Sequence, residues 1–569
     1  MAGGSAHADP AFLAKLARRQ QMNYESMTIF SAAIAGFFFT LCIFHLARRL
    51  CVELGASRKP NILTAFLRSF RAATLNKIPG LPAGGYTVVI VCYLVINVVV
   101  TFTNHDNENM PLLSNLASRT GWMAIANLLI VIFLSLKNTP VSILTALSYE
   151  RLNVFHRVAG YATLIFAIVH SCAYAAVFGE QGLLERLLVP EEICGMVATI
   201  SLIILALAGA FLRTWWYEAF YYLHVTFWIV AIIMTGLHQP EPSKKVLYIF
   251  CAAAGIWVLE RIVRLIRIAI NSTNNTVTLM PLPNGGTRVT LAKAPLGSAS
   301  GKHGFLWIPA VRAAETHPFT MVSTDPLEFV VAAYDGFTQT LHERALQNPG
   351  IQLKASVEGP YGISPDARGY DRIVLVAGGS GASFTVGATL DMLKKLRPDA
   401  DVEIEFIWMI RNQTYLTWFS QHLETLRKDR RVSIKIYVTR ASAVESLPQR
   451  QPSSSSSFSS STFVEPDLEK EVLPRLTTTR LSLDTEEQEI PSPASSTEDT
   501  LPNHIGFYFG RPNVASLVKE AVGNISSDGR VLVMGCGPQT LMTTVRNAAA
   551  DCTMDNGAGV ELHLEQFGW

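Results

Sequence analysis

Four histidines sit inside apolar runs at one repeated spacing. In "RLNVFHRVAGYATLIFAIVHS", residues 151–171, His156 and His170 are fourteen positions apart, and in "YYLHVTFWIVAIIMTGLHQ", residues 221–239, His224 and His238 keep the same interval. An α-helix advances 1.5 Å and about 100° per residue, so fourteen residues make nearly four turns and roughly 21 Å along one face. Each run therefore carries one imidazole near each side of a bilayer. An ionisable residue inside a membrane is costly and tends to face a functional interior. A lone histidine there is as well explained by a bond to a neighbouring helix, but four in two matching pairs at equal depth form a ligand pattern. One span lies between the two runs, so they point the same way and depth pairs His156 with His224 and His170 with His238. Zinc wants a third or fourth close ligand, and no Cys, Asp or Glu is placed to join either pair. A proton relay wants groups closer than this gap. Two axial imidazoles on facing helices, with a planar macrocycle between them, need no other protein ligand. Two stacked bis-histidine haems b are therefore expected, with these four residues as the metal ligands.

The elements that must carry them are membrane helices. Of 569 residues, 49% are hydrophobic and 16% charged, a composition unusual for a soluble protein, and the length calls for three or four domains. A formal net charge of +2 lends no support to a nucleic-acid partner. Eight cysteines include no CxxC pair; Cys172 and Cys194 fall near one membrane face, but disulfide geometry is demanding and free thiols are expected. Residues 1–26 lack the pattern of a removable signal peptide. Apolar windows long enough to cross a bilayer fall near 27–47, 86–104, 121–137, 152–178, 193–213, 217–238 and 245–265, which makes a seven-span bundle over 27–268. The loop 48–85 carries Arg48, Arg49, Arg58, Lys59, Arg68, Arg71 and Lys77 against Glu53, and the last span leaves through Arg261, Arg264 and Arg267. Both ends are read as cytosolic. Residues 1–26 then lie outside, a placement that Lys15, Arg18 and Arg19 fit poorly, and everything after 268 lies in the cytosol. The opposite loops "TNHDNENMP" and "GEQGLLERLLVPEE" lean acidic.

After the last span the pattern changes twice. Over 274–366 short alternating runs, "TVTLMPL", "TRVTLAK", "GFLWIPA", "LEFVVAAY" and "IQLKASVEG", predict a small antiparallel β-barrel. Over 371–569 the buried-strand runs "DRIVLVAG", "DVEIEFIWMI", "RVSIKIYVT" and "RVLVMGCG" alternate with helical stretches at 386–396 and 414–428, which predicts a parallel α/β domain. Its regularity lapses over 441–502, an insert read as a disordered loop.

Within these two domains "HPFTMVS" (317–323) lies where a barrel strand is expected to end and "EGPYG" (358–362) closes the barrel. "LVAGGSG" (375–381) makes a glycine turn between strand and helix, "MGCGP" (534–538) follows the last long strand, and the chain stops at Trp569. In this order the motifs resemble the ferredoxin reductase-like module of the ferric reductase and NADPH oxidase family, and the spans resemble its haem-bearing bundle. The resemblance covers about 120–440 and 503–569, and its nearest branch is the fungal ferric-chelate reductases. It implies that His317, Pro318, Phe319, Thr320 and Ser323 line FAD, that Gly359, Pro360, Tyr361 and Gly362 approach its pyrophosphate, and that Trp569 covers the flavin ring. It implies further that Gly378, Gly379, Ser380 and Gly381 receive the phosphates of NADPH at a helix N-terminus, and that Cys536, Gly537 and Pro538 border the nicotinamide. Arg411 and Arg511, at strand ends, become candidates for the 2′-phosphate. Two departures stand out. Phe384 occupies a position where many relatives have proline, and Ala332 one where relatives have the Arg or Lys that helps hold flavin phosphate, so weaker FAD retention is expected.

The implied activity is a plasma-membrane metalloreductase, with a vacuolar membrane as the other location. It would carry electrons from cytosolic NADPH through FAD and the two haems to an extracellular ferric or cupric chelate and would serve an iron uptake system. An NADPH oxidase that reduces dioxygen to superoxide shares the same parts. A haem-binding channel or transporter without enzymatic activity is the reading from another class, against which the ordered flavin and nucleotide motifs speak.

Overall fold

The computed structural model describes residues 10–53, 74–75, 81, 83–139, 144, 149–238, 244–440, 505–523, 525, 529–555 and 559–565. The expected insert and Trp569 lie outside the described residues. Helices α1 (Pro10–Glu53), α2 (Gly84–Phe102), α3 (Leu112–Leu134), α4 (Tyr149–Glu180), α5 (Pro190–Leu207), α6 (Tyr217–His238) and α7 (Lys244–Ser272) come first. A π turn at Ala208–Leu212 and one short helical turn, Arg213–Trp215, extend α5. Among the described residues six helices, α1 to α6, are long and apolar enough to cross a membrane. The expected seventh segment is helical too, but Glu260, Arg261 and Arg264 interrupt the apolar run of α7. Helix α7 starts a few residues beyond His238 and ends on the barrel, where Ser356 Oγ donates to Ile268 O (2.7 Å) and Asn271 Nδ2 to Val357 O (2.7 Å). Its 29 residues rise roughly 43 Å.

Helix α1 begins at Pro10 rather than near 27. Its early turns hold polar residues because α2 and α3 supply their partners. Arg18 pairs with the buried Asp106 (3.2 Å), Arg19 donates to Ser114 Oγ (2.9 Å), and Asn23 Oδ1 accepts from Arg119 Nε (2.7 Å). Arg119, only 1% exposed, spends its other donors on the carbonyls of Val100, Thr103 and Asn104 at the end of α2 (2.6, 3.0 and 2.9 Å). Those carbonyls have no partner inside their own helix.

The barrel strands are β1 (Thr276–Leu282), β2 (Gly286–Leu291), β3 (His303–Trp307), β4 (His317–Thr324), β5 (Leu327–Ala332), β6 (Ile351–Lys354) and β7 (Ser356–Tyr361), with helix α8 (Gly336–Gln347) before β6. Their antiparallel order is β6-β1-β2-β5-β4-β3-β7. The run "IQLKASVEG" thus divides between opposite edges: β6 pairs with β1 and β7 with β3. The HPFT residues open β4 rather than end a strand. Alternate residues such as Val277, Leu279, Val289, Leu291 and Phe329 fill the core, as period-2 patterning requires.

In the second sheet β8 (Arg372–Gly378), β9 (Glu403–Ile410), β10 (Val432–Val438), β11 (Ile505–Phe509), β12 (Arg530–Cys536) and β13 (Gly559–Glu565) run parallel in the order β11-β10-β9-β8-β12-β13. Helices α9 (Ala382–Lys395), α10 (Ser420–Arg427), α11 (Val514–Gly523) and α12 (Gln539–Asp555) complete it. Buried side chains cover both faces, which explains the continuous Val/Ile/Leu runs. The segment expected as one helix over 414–428 is a 3₁₀ turn, Gln413–Trp418, followed by α10, because Trp418 is drawn to the barrel. Its Nε1 donates to Pro283 O (2.8 Å), and its ring packs so close to Gly286 that a Cβ there would lie 2.6 Å away. Beside it Arg288 pairs with Glu328 (2.9 Å), and His422 Nε2 stands 3.6 Å from the same carboxylate.

Candidate functional site

The two helix pairs α3/α4 and α5/α6 pack along each other and bring the four histidines together as depth requires. The rings of His156 and His224 have centroids 6.4 Å apart at 58°, and those of His170 and His238 are 6.0 Å apart at 80°. Three of the four have Nδ1 against a backbone carbonyl: His156 with Val131 O (3.1 Å), His170 with Ala117 O (2.7 Å) and His238 with Glu191 O (2.8 Å). A carbonyl only accepts, so each Nδ1 carries the proton and Nε2 is the ring nitrogen left to bind a metal, the usual arrangement of a ligating histidine. Nδ1 of His224 is buried facing Leu205 O, outside full hydrogen-bond geometry. Two metal–nitrogen bonds of about 2 Å each, plus the depth of two imidazoles, separate centroids by roughly 6 Å, which both pairs meet. Among the described residues no group of three or more His, Cys, Asp or Glu could hold a metal ion, and Cys172 and Cys194 are free. The donor set fits an axially ligated macrocycle better than a tetrahedral ion.

The His156 end of the bundle meets the barrel. Arg264 of α7 donates from Nε and Nη2 to Glu358 Oε2 (3.2 and 3.1 Å), and Glu358 is fully buried. The ammonium of Lys137, just beyond α3, lies 3.1 Å from the centre of the Phe305 ring, a cation–π contact. Tyr361 of the "EGPYG" motif bonds Glu358 through its hydroxyl and stacks on His303. Gly359 and Gly362 have φ of +147° and +89°, values that only glycine adopts without strain. One strand therefore carries the "EGPYG" motif to the His156 end of the bundle.

A cavity of about 1110 Å³ opens between barrel and α/β sheet. Thr320, Gly378, Gly379, Ser380, Gly381, Arg411, Arg511, Cys536, Gly537 and Pro538 all line it. His317, Pro318, Phe319, Ser323, Gly359, Pro360, Tyr361 and Gly362 lie elsewhere on the barrel: His317 stacks on Phe337 at 4.3 Å and donates from Nε2 to Glu315 (3.1 Å). Burial holds the imidazole of His317 below its ordinary range despite that carboxylate. The glycine turn has two distinct uses. Gly379, at φ +56°, faces open space, whereas a Cβ on Gly381 would stand 2.2 Å from Cys536 O. Burial, reinforced by Glu565, pushes the Cys536 thiol up to about 12, so it stays protonated and is no nucleophile at neutral pH. Tyr334, Tyr415, Trp418 and Thr439 also line the cavity and were missed; only Tyr415, four residues after Arg411, carried a signal in its position.

Three family profiles match the chain in the same order: "Ferric reductase like transmembrane component" over 120–235, "FAD-binding domain" over 271–365 and "Ferric reductase NAD binding domain" over 370–550. Among full-length relatives, the probable cell surface ferric reductase kap2 of Aspergillus oryzae is 30% identical over 344 residues, 55% of this chain and 46% of that protein. The ferric/cupric reductase transmembrane component 2 of Schizosaccharomyces pombe is 25% identical, covering 61% of this chain and 71% of its own. The ferric reductase transmembrane component 4 of Saccharomyces cerevisiae is 24% identical over 86% of this chain and 68% of its own. The chain thus spans about half the length of the first of these and about two thirds of the others.

Proposed function

We propose that this chain, which belongs to the ferric reductase family in its transmembrane, FAD-binding and NAD-binding parts, is a transmembrane metalloreductase that takes electrons from cytosolic NADPH and delivers them to a ferric or cupric chelate outside. The observation that carries this reading is the pair of facing imidazoles at each of two depths, 6.4 and 6.0 Å between centroids, with the inner pair at the end of the bundle that bears the flavin motif. Bound FAD supplies the conversion of a two-electron hydride into single electrons, and two bound haems supply one-electron carriers across the lipid. The chain's own residues bind and position. His156 with His224 and His170 with His238 hold the haems, and Arg157 and Arg213 stand near the inner level for the propionates. His317, Pro318, Phe319, Thr320 and Ser323 line the flavin, Gly359 to Gly362 receive its pyrophosphate, and Trp569 covers its ring. Gly378, Gly379, Ser380 and Gly381 take the nucleotide phosphates, with Arg411 and Arg511 at the 2′-phosphate and Cys536, Gly537 and Pro538 at the nicotinamide.

The topology that goes with this reading has α7 as a seventh crossing, residues after 268 in the cytosol, and the acidic loops with Glu185, Glu191 and Glu192 outside, in a plasma membrane. A chain so oriented could feed a high-affinity iron uptake system. Proteoliposomes given NADPH on the domain-bearing side test the acceptor. Reduction of a ferric chelate on the far side is expected; superoxide in its place would make the protein an NADPH oxidase, and no NADPH consumption with any acceptor would reject both.

A further inference from the structure

Glycine lets two of the imidazoles reach backbone carbonyls that a side chain would crowd, and the carbonyl partners recur at the spacing of the histidines. On α3, Ala117 O accepts from His170 and Gly121 lies four residues on; a Cβ there would stand 2.6 Å from both Nδ1 and Cε1 of that ring. On α5, Glu191 O accepts from His238 and Gly195 lies four residues on, its added Cβ 2.6 Å from Nδ1 and 2.7 Å from Cε1. Helical side chains tilt toward the N-terminus, so residue i+4 overhangs the carbonyl of residue i. That carbonyl already takes the N–H of i+4, and at these two sites its second lone pair is met by a ring that a Cβ at i+4 would overlap.

The inner level lies one repeat further along both partner helices. Val131, fourteen residues after Ala117, accepts from His156 at the longer distance of 3.1 Å, and Ser135, fourteen after Gly121, donates its own N–H to Val131 O and carries a side chain there. Leu205 and Gly209 stand fourteen after Glu191 and Gly195. There the π turn Ala208–Leu212 intervenes, and His224 faces Leu205 O without its Nδ1 reaching full hydrogen-bond geometry. The fourteen-residue period of the ligand helices is thus written on the helices behind them.

We propose that Gly121 and Gly195 are positioning residues for the outer pair: they hold His170 and His238 in the Nδ1-protonated form, with Nε2 as the free nitrogen, and touch no bound group themselves. The proposal rests on reading the histidines as haem ligands. Gly121→Ala and Gly195→Ala test it in the full-length purified protein, beside Gly36→Ala and Gly255→Ala, helix positions where an added Cβ meets nothing within 4 Å. Alanine is the better helix former, so propensity alone favours all four variants. Haem per chain, the low-spin electron paramagnetic resonance signals and the midpoint potentials are read together with FAD content and NADPH–dye activity. Gly121→Ala and Gly195→Ala are expected to keep flavin and dye activity while losing or shifting one of two low-spin signals; the other two variants keep both. Two wild-type signals at wild-type potentials in Gly121→Ala and Gly195→Ala overturn the proposal and leave the haem reading standing. A wild type without low-spin haem sinks the haem reading instead. Should an alanine variant lose its flavin, hyperfine spectra of the wild type decide alone: a hydrogen-bonded Nδ1–H on both outer ligands is expected, and its absence overturns the proposal.

Discussion

A methyl group on Gly381 would collide with the carbonyl of Cys536 at 2.2 Å, and both partners are backbone, so neither can swing aside. Gly381→Ala should push the β12 loop away from the glycine turn and lower NADPH–dye activity by roughly two orders of magnitude, the scale of an ångström's misplacement. Haem and flavin content should stay as in the wild type; unchanged dye activity would contradict the packing argument. Cys536 makes a second prediction at this scale. Its thiol, raised to about 12 by burial and then by Glu565, should resist alkylation at neutral pH in the folded protein, as read by mass spectrometry, and react once the protein is unfolded. Rapid labelling of Cys536 would show a thiolate where burial forbids one. The residues with repeated or motif-bound spacing were legible in the sequence: the four histidines meet in the pairs their depth implied. The contacts of Lys137, Arg264 and Glu358 were not, because they join elements far apart in the chain.

Between elements, the bolts are polar and the sequence disguised them as anomalies. Arg18 and Arg19 looked misplaced for residues outside the membrane, and Arg119 fell two residues before the expected span 121–137, whereas the helix begins at Leu112 and includes it. Together they fasten α1 to α2 and α3, with Arg119 closing the open carbonyls of α2. Arg119→Leu should destabilise the bundle by on the order of 3 kcal/mol, seen as a lower unfolding temperature in detergent; an unchanged temperature would mean that water replaces its bonds. Helix and strand types followed from periodicity, yet element ends did not. The start of α1 moved because partners for its polar turns come from other helices, and 414–428 broke into two pieces because Trp418 leaves the helix to bond Pro283. The same contact predicts a pH effect. Burial, with Arg288 adding, pulls His422 down to about 4 from 6.5, so the unfolded chain takes up the proton first. Stability is intact above 6.5 and falls as pH drops from there toward 4. Glu328, raised by burial against the pull of Arg288, gains protons more readily when folded and offsets part of the loss. His422→Gln should therefore show a smaller fall in unfolding temperature between about pH 7.5 and about pH 5; an equal fall would place the acid sensitivity elsewhere.

At the scale of the whole molecule, barrel and bundle are joined at the end of the bundle that holds His156 and His224, through Arg264 with Glu358 and Lys137 over Phe305. Arg264→Met leaves a buried carboxylate without its paired cation, keeping the Tyr361 hydroxyl, a change that costs about 3–5 kcal/mol in comparable pairs. It should slow haem reduction by NADPH while NADPH–dye activity persists; equal loss of both would make the pair a general fold requirement. The most direct test of the account is the haem count. Purified protein should carry two low-spin haems per chain, and His238→Ala should carry one while it still oxidises NADPH with a soluble dye. A wild type with no low-spin haem, or a His238→Ala protein that keeps both, would contradict the claim that paired imidazoles at two depths carry electrons through this membrane bundle.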